Sequence, residues 1–296
     1  MRRPIIVVFF SLFLMAFGPA AAADRGALFK VMANGHTLHL FGTIHLGRPD
    51  FYPLEPRIRA AVAAAPTLAL EVDLERDPAA VVASVQQHGM FAPGDAGYAG
   101  LAPERRARIE SALRKSGLDP ARVVQLKPWV VGTILAVVEA TKLGYQIELG
   151  MDKHLAQLAR SGRTKVAELE SVQFQAALFD RVPDEQQWRM LEETLEMIES
   201  GRAARETREL VEAYDSADHA AFEAIARRID SDPSQTGKFT RELLLDERNG
   251  PMADKLVAML EREHNSVVAV GVLHLVGKRG LPALLRARGL TVERVY

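Results

Sequence analysis

Two stretches of the chain repeat one pattern of residues able to do chemistry. Gly42-Thr43-Ile44-His45 closes an apolar run at residues 38–47, and Gly271-Val272-Leu273-His274 closes a second at 267–277. A Leu follows the His in both, so Gly-x-x-His-Leu occurs twice, each time where a buried strand would surface. An imidazole binds a divalent metal through one ring nitrogen while the other is oriented by an acceptor. Two of them at neighbouring strand ends therefore supply half of a tetrahedral site. Glu71, near the end of the run Thr67 to Leu74, is the natural third member. A carboxylate at a buried strand end costs free energy unless a metal or a cationic group faces it. Two His and one Glu form an open catalytic set for zinc, so His45, His274 and Glu71 are the expected metal ligands, with Glu71 as ligand or general base. The plainer alternatives are a satisfied polar strand residue for each His, and a salt bridge or helix N-terminus partner for Glu71 and Asp73. No His-Glu-x-x-His pattern occurs, which excludes that kind of zinc helix.

Arg248-Asn249 stands just before Gly250-Pro251. Its guanidinium is suited to fix a substrate carboxylate or phosphate by paired hydrogen bonds, a helix-end cap being the bland reading. His36, His39, His88, His154, His219 and His264 lie in a hairpin or in polar stretches and are assigned ordinary surface roles. Trp129, Trp188 and the Met residues fit core stripes.

Asn34-Gly35 between two apolar runs predicts an opening hairpin, because a tight turn there needs positive φ at both positions. Its second strand leads into the first Gly-x-x-His, where Gly42 permits a bend or a close backbone approach. A short helix over Ile58 to Ala65 and a strand over 67–74 follow, with Glu71 and Asp73 on one face by period two. Helices are expected over Pro103 to Lys115 and Trp129 to Leu143, the latter apolar nearly all round and therefore buried. A third follows Gly150-Met151, with Asp152 as N-cap, and then a short strand over Thr164 to Leu169. A charged amphipathic helical insert spans about 183–248. Its apolar stripe is Trp188, Leu191, Leu195 and Ile198, its charged stretch 184–212 reads as a solvated face, and its likeliest loop spans 233–237. Helices are expected over Phe239 to Arg248 and Pro251 to Glu263. The second motif, a short helix from Pro282 and a strand over Leu290 to Val295 close the chain. The fold class is α/β (α+β), a central mixed β-sheet flanked by helices.

Residues 1–23 read as a signal peptide: Arg2-Arg3, an apolar stretch from Ile5 to Phe17, and Ala21-Ala22-Ala23 as cleavage site. Residues 24–296 would then be one domain, periplasmic or secreted, with no stable membrane anchor. The chain has no cysteine, which excludes disulfides, thiolate chemistry and Cys-ligated zinc. Without Arg2 and Arg3 it holds 35 Lys and Arg against 38 Asp and Glu, in no basic block, so nucleic acid is not an expected partner.

The two Gly-x-x-His motifs, Glu71, Arg248-Asn249, Leu169-Glu170 with Gln173 and Gln175, and the closing Gly280-Leu281 to Gly289-Leu290 segment together resemble the TraB/GumN family over roughly residues 28–296. The resemblance implies a fold shared with the Tiki metalloproteases, which need a divalent metal such as manganese or cobalt, and with erythromycin-esterase-like and haem-carrying ChaN-like proteins. The expected function is an exported hydrolase dependent on a divalent metal ion (manganese, cobalt or zinc), first of all a peptidase acting on a peptide or small-molecule substrate. His45, His274, Glu71, Arg248 and Asn249 are its site residues. A non-catalytic protein that captures a peptide, a signal or haem in the same cleft is the alternative from another class. A metal-free esterase with a His as base is the third.

Overall fold

The computed structural model describes residues 23–296; the expected signal peptide falls almost wholly outside them. The chain opens on strands β1 (Leu28–Ala33) and β2 (His36–Thr43). Asn34 and Gly35 between them have φ of 51° and 77°, so the hairpin turn is the one the dipeptide favours. Helix α1 (Pro56–Ala64) leads to β3 (Thr67–Leu70). That strand stops at Leu70, four residues earlier than period two suggests, because the chain bends at Glu71 and Asp73 turns away to pair with Arg160. Helices α2 (Pro78–His88), α3 (Pro103–Lys115), α4 (Pro120–Val123), α5 (Pro128–Lys142) and α6 (Met151–Ser161) precede β4 (Lys165–Glu168).

Five helices follow: α7 (Val172–Asp180), α8 (Asp184–Glu199), α9 (Arg202–Asp215), α10 (His219–Ser231) and α11 (Gln235–Phe239). The expected loop at 233–237 shrinks to a short link, since the Ser234 hydroxyl accepts from the Gly237 N–H and starts α11 there. A π-helical turn, Thr240–Asp246, runs straight into α12 (Glu247–Arg262). The helix therefore continues through Gly250-Pro251, where the sequence suggests a break. Pro251 lies in the second turn of α12, one helical turn beyond the wide π turn. Strand β5 (Ser266–Gly271), a 3-10 turn at Val272–Leu275, α13 (Leu281–Ala287) and β6 (Thr291–Arg294) complete the fold.

The sheet has six strands in the order β4-β3-β5-β2-β1-β6. Strands β4, β3, β5 and β2 run parallel, and β1 and β6 add antiparallel pairs at one side. Every residue of β3 is buried and so are the first five of β5, which requires cover on both faces. Helices α1, α6 and α12 supply it. This is why the motif strands read as unbroken apolar runs instead of alternating ones. Each fully buried Val or Leu contributes about 1.5–3 kcal/mol relative to exposure.

A second, smaller core joins α3, α5 and α8 through Ile109, Leu113, Val131, Leu135, Trp188, Leu191 and Leu195. Helix α5 is not buried all round: Val131 and Leu135 join this core and Ala140 the main one, while Thr133, Ala136 and Thr141 face water. The charged side of α8 is not simply solvated: Glu185 and Glu192 pair with Arg105, Glu196 with Arg108 and Glu199 with Lys115, all on α3. Such half-exposed pairs align the two helices more than they stabilise them.

Candidate functional site

Strand β5 lies between β2 and β3, with Thr43 opposite Gly271 and Leu70 opposite Ala269. Three parallel strands thus end together, the place where open α/β sheets gather their sites. Beyond those ends come His45, Glu71 and His274. A Cβ on Gly271 would lie 3.2 Å from Glu71 Oε1, 3.8 Å from His45 Nε2 and 3.8 Å from His274 Cδ2. The three side chains therefore border one small space that the missing side chain of Gly271 leaves open.

Each imidazole is held from behind. His274 is buried, and its Nδ1 is 2.6 Å from Asn249 Oδ1. The Asn249 amide N–H donates to Arg279 O at 2.9 Å, which turns Oδ1 toward the ring. Nδ1 then carries the proton and Nε2 presents its lone pair toward Glu71 Oε1, 3.7 Å away. Burial lowers the His274 pKa to about 4 against the opposing pull of Glu71, so the ring is neutral at pH 7. His45 differs in being 68% exposed, with Nδ1 2.7 Å from Asp152 Oδ2. The Asp152 carboxylate raises its pKa above the ordinary histidine value.

Glu71 is buried and accepts from the Gly271 N–H at 2.5 Å through Oε1 and from Arg248 Nη2 through Oε2. Burial by itself would raise its pKa. In the acid range where Glu71 titrates His274 is protonated, and its charge, those of His45 and Arg248 and the Gly271 N–H outweigh burial and bring the pKa to about 2, so Glu71 is a carboxylate at neutral pH. Arg248 is shared: its Nε and Nη2 also reach Glu170, at 3.0 Å and 2.7 Å, and its Nη1 donates to Leu244 O. Arg248 and Asn249 are both buried on the first turn of α12, so they hold Glu71 and His274 instead of facing the cleft. The wide π turn before them belongs to the backbone that aims them both.

Asp152 is the member that sequence reasoning placed differently. Gly150 occupies the N-cap position of α6, and Asp152 in the first turn accepts from Thr43 Oγ1 at 2.6 Å as well as facing His45. The strap 146–151 brings it there. Gly47 and Gln146 exchange backbone hydrogen bonds at 2.9 Å and 2.8 Å, and Met151 N donates to Ile44 O at 3.0 Å. A Cβ on Gly47 would meet Leu149 O at 1.8 Å, and one on Gly150 would meet His45 O at 2.6 Å, so the strap fits only against glycine. Two glycines, Gly47 two residues after His45 and Gly150 two residues before Asp152, are the visible signal, but nothing in their spacing tells what they approach. Glu170 stands in the sequence only as part of the family-like segment, which does not reveal its place beside Arg248.

The donor chemistry of this space fits a divalent cation: two oriented imidazoles, one carboxylate oxygen, and an open cradle where a side chain would sit. Among the described residues, no group of three or more His, Cys, Asp or Glu stands close enough together to hold an ion as it is. Also among the described residues, no helix is long and apolar enough to cross a membrane.

The TraB/PrgY/gumN family model matches residues 27–294. The chain is 28% identical over 253 residues to the uncharacterized protein YbaP of Shigella flexneri, covering 86% of this chain and 89% of the relative. The uncharacterized protein YbaP of Escherichia coli (strain K12) matches at the same identity and coverage. No solved structure matches.

Proposed function

The chain belongs to the TraB/PrgY/gumN family, and from that premise we propose that it is an exported metal-dependent hydrolase acting on peptides. The observation that carries this reading is the convergence of His45 Nε2, Glu71 Oε1 and the His274 ring on the space beside Gly271. His45, His274 and Glu71 would hold the ion, manganese, cobalt or zinc. Bound there, it would supply Lewis acidity toward the carbonyl of the bond to be cut. The chain's own groups do the rest. Asp152 and Asn249 lock the two rings in orientation, Arg248 binds one oxygen of Glu71 so that only the other faces the cleft, and Glu170 balances the Arg248 charge.

Metal analysis of the purified mature protein, with a chelator-treated control, is the first test. Peptide cleavage is expected to stop with chelator and return with manganese, cobalt or zinc. His45→Ala, His274→Ala and the double variant are expected to lose cleavage by similar large factors, because groups acting as one unit are not additive. Chelator-resistant cleavage, or a double variant as active as wild type, would sink the proposal. N-terminal sequencing of exported protein is expected to begin at Asp24; a retained Met1 would remove the export part.

One observation favours a second reading, a non-catalytic protein that captures a peptide, a signal or haem in the same cleft. Glu71 already has partners in Arg248 and the Gly271 N–H, so its burial needs no ion. Tight peptide binding without cleavage, with or without metal, would decide for it.

A further inference from the structure

Six large apolar side chains stand exposed among the described residues, and two of them, Leu74 at 57% and Ile147 at 47%, line the same cavity as His45 and Glu71. Its volume is about 370 Å³, at the small end of the range for ligand sites and enough for one side chain beside the reacting group.

The turn after β3 is arranged against the usual preference. Asp73 pairs with Arg160, Glu75 with Lys153 and Arg160 at 3.2 Å each, and Arg76 with Glu168 at 2.6 Å. The charged side chains of this turn are thus tied to the protein while Leu74 between them faces water. Across the cavity Ile147 opens the 3-10 turn Ile147–Leu149, inside the strap that Gly47 and Gly150 press against the His45 loop. Both apolar groups stand on backbones fixed by other contacts, and leaving them exposed costs free energy unless something covers them. The charged groups at the cavity wall are mostly acidic, Glu71, Asp73, Glu75 and Asp152 against Lys153 and His45. An acidic occupant is therefore disfavoured.

Resting on the hydrolase reading above, we propose that Leu74 and Ile147 are the two walls of a specificity subsite that takes an aliphatic or aromatic side chain of the substrate. The peptide bond next to that side chain then lies at His45, His274 and Glu71. These residues touch the substrate's side chain and not its reacting atoms, so they select the substrate without taking part in bond cleavage.

The test uses capped peptides Ac-Ala-Ala-Xaa-Ala-Ala-NH2 with Leu, Phe, Ser or Glu at Xaa, on the mature protein supplied with manganese. Binding is measured by calorimetry and cleavage by mass spectrometry, for wild type and for Leu74→Ser/Ile147→Ser. Wild type is expected to prefer Leu and Phe over Ser and Glu by about tenfold or more, and the double variant is expected to bring that ratio close to one. Because both side chains are exposed, unchanged melting and circular dichroism are expected to accompany the loss. Equal treatment of all four peptides by wild type, or a double variant that keeps the preference, overturns the subsite whether or not cleavage occurs. Preferential binding of the Leu and Phe peptides without cleavage of any supports the subsite and overturns the hydrolase reading. Neither binding nor cleavage of any peptide overturns both.

Discussion

Asp152 reaches His45 across 107 positions of sequence and holds it with one oxygen while the other accepts from Thr43. Its carboxylate does two things to the ring: it fixes the orientation of Nε2 and favours the protonated form. Replacing it by Asn keeps the shape and removes the charge. Asp152→Asn is expected to cost about 10–100-fold in metal affinity or cleavage, the usual scale for a group behind a metal-ligating His. The sign at His45 follows directly. A carboxylate raises the pKa of an imidazole it faces, so its removal must lower the His45 titration midpoint, which NMR of the ring protons reads. An unchanged midpoint with full activity would show that Asp152 does not govern His45. The same logic separates Arg248 from a substrate clamp: a guanidinium committed to Glu71, Glu170 and Leu244 O has little left for a ligand.

At the scale of elements, the site depends on a strap lying flat against a strand-end loop. Residues 146–151 make the backbone contacts that carry α6 and Asp152 to the end of β2. Gly47→Ala places a methyl where Leu149 O now sits, and a backbone oxygen cannot rotate aside as a side chain can. The strap is therefore expected to shift, with a loss of about 1–3 kcal/mol by denaturant unfolding and a parallel fall in the His45 titration midpoint as Asp152 withdraws. Wild-type stability together with a wild-type midpoint would show that the strap accommodates the methyl without moving. Helix α12 belongs to this scale too. Its unbroken passage through Gly250-Pro251 keeps Arg248 and Asn249 on one rigid turn, so Glu71 and His274 are held by the same element.

Across the whole molecule, the last residue closes back on the first helix. The Tyr296 hydroxyl donates to Glu55, the N-cap residue of α1, and Glu55 is buried with its other oxygen unpartnered. Burial, against the lowering effect of the Tyr296 hydrogen bond, raises the Glu55 pKa above 4.5. A carboxyl whose folded pKa is raised binds its proton more tightly in the folded state. Its ionisation therefore opposes folding, and this cost grows as pH rises from the unfolded pKa through the folded one. Glu55→Gln removes the dependence, so wild type is expected to lose ground to the variant in thermal melts as pH rises through the range above 4.5. A constant difference across that range would mean that Glu55 is not strained. Much of the architecture was legible before the fold: the hairpin at Asn34-Gly35, the apolar strands, the helices and the two Gly-x-x-His motifs all rest on local sterics and on hydrophobic patterning along the chain. Those are properties of neighbouring residues, so the amino-acid sequence by itself determined them, and with them the family. It could not determine that β3 stops at Leu70, that α12 runs through its proline, that Asp152 faces His45, or that Leu74 is the residue left in water beside Glu71. Each of these depends on which distant group arrives to satisfy a charge or fill a space, and only the tertiary structure brings those groups together.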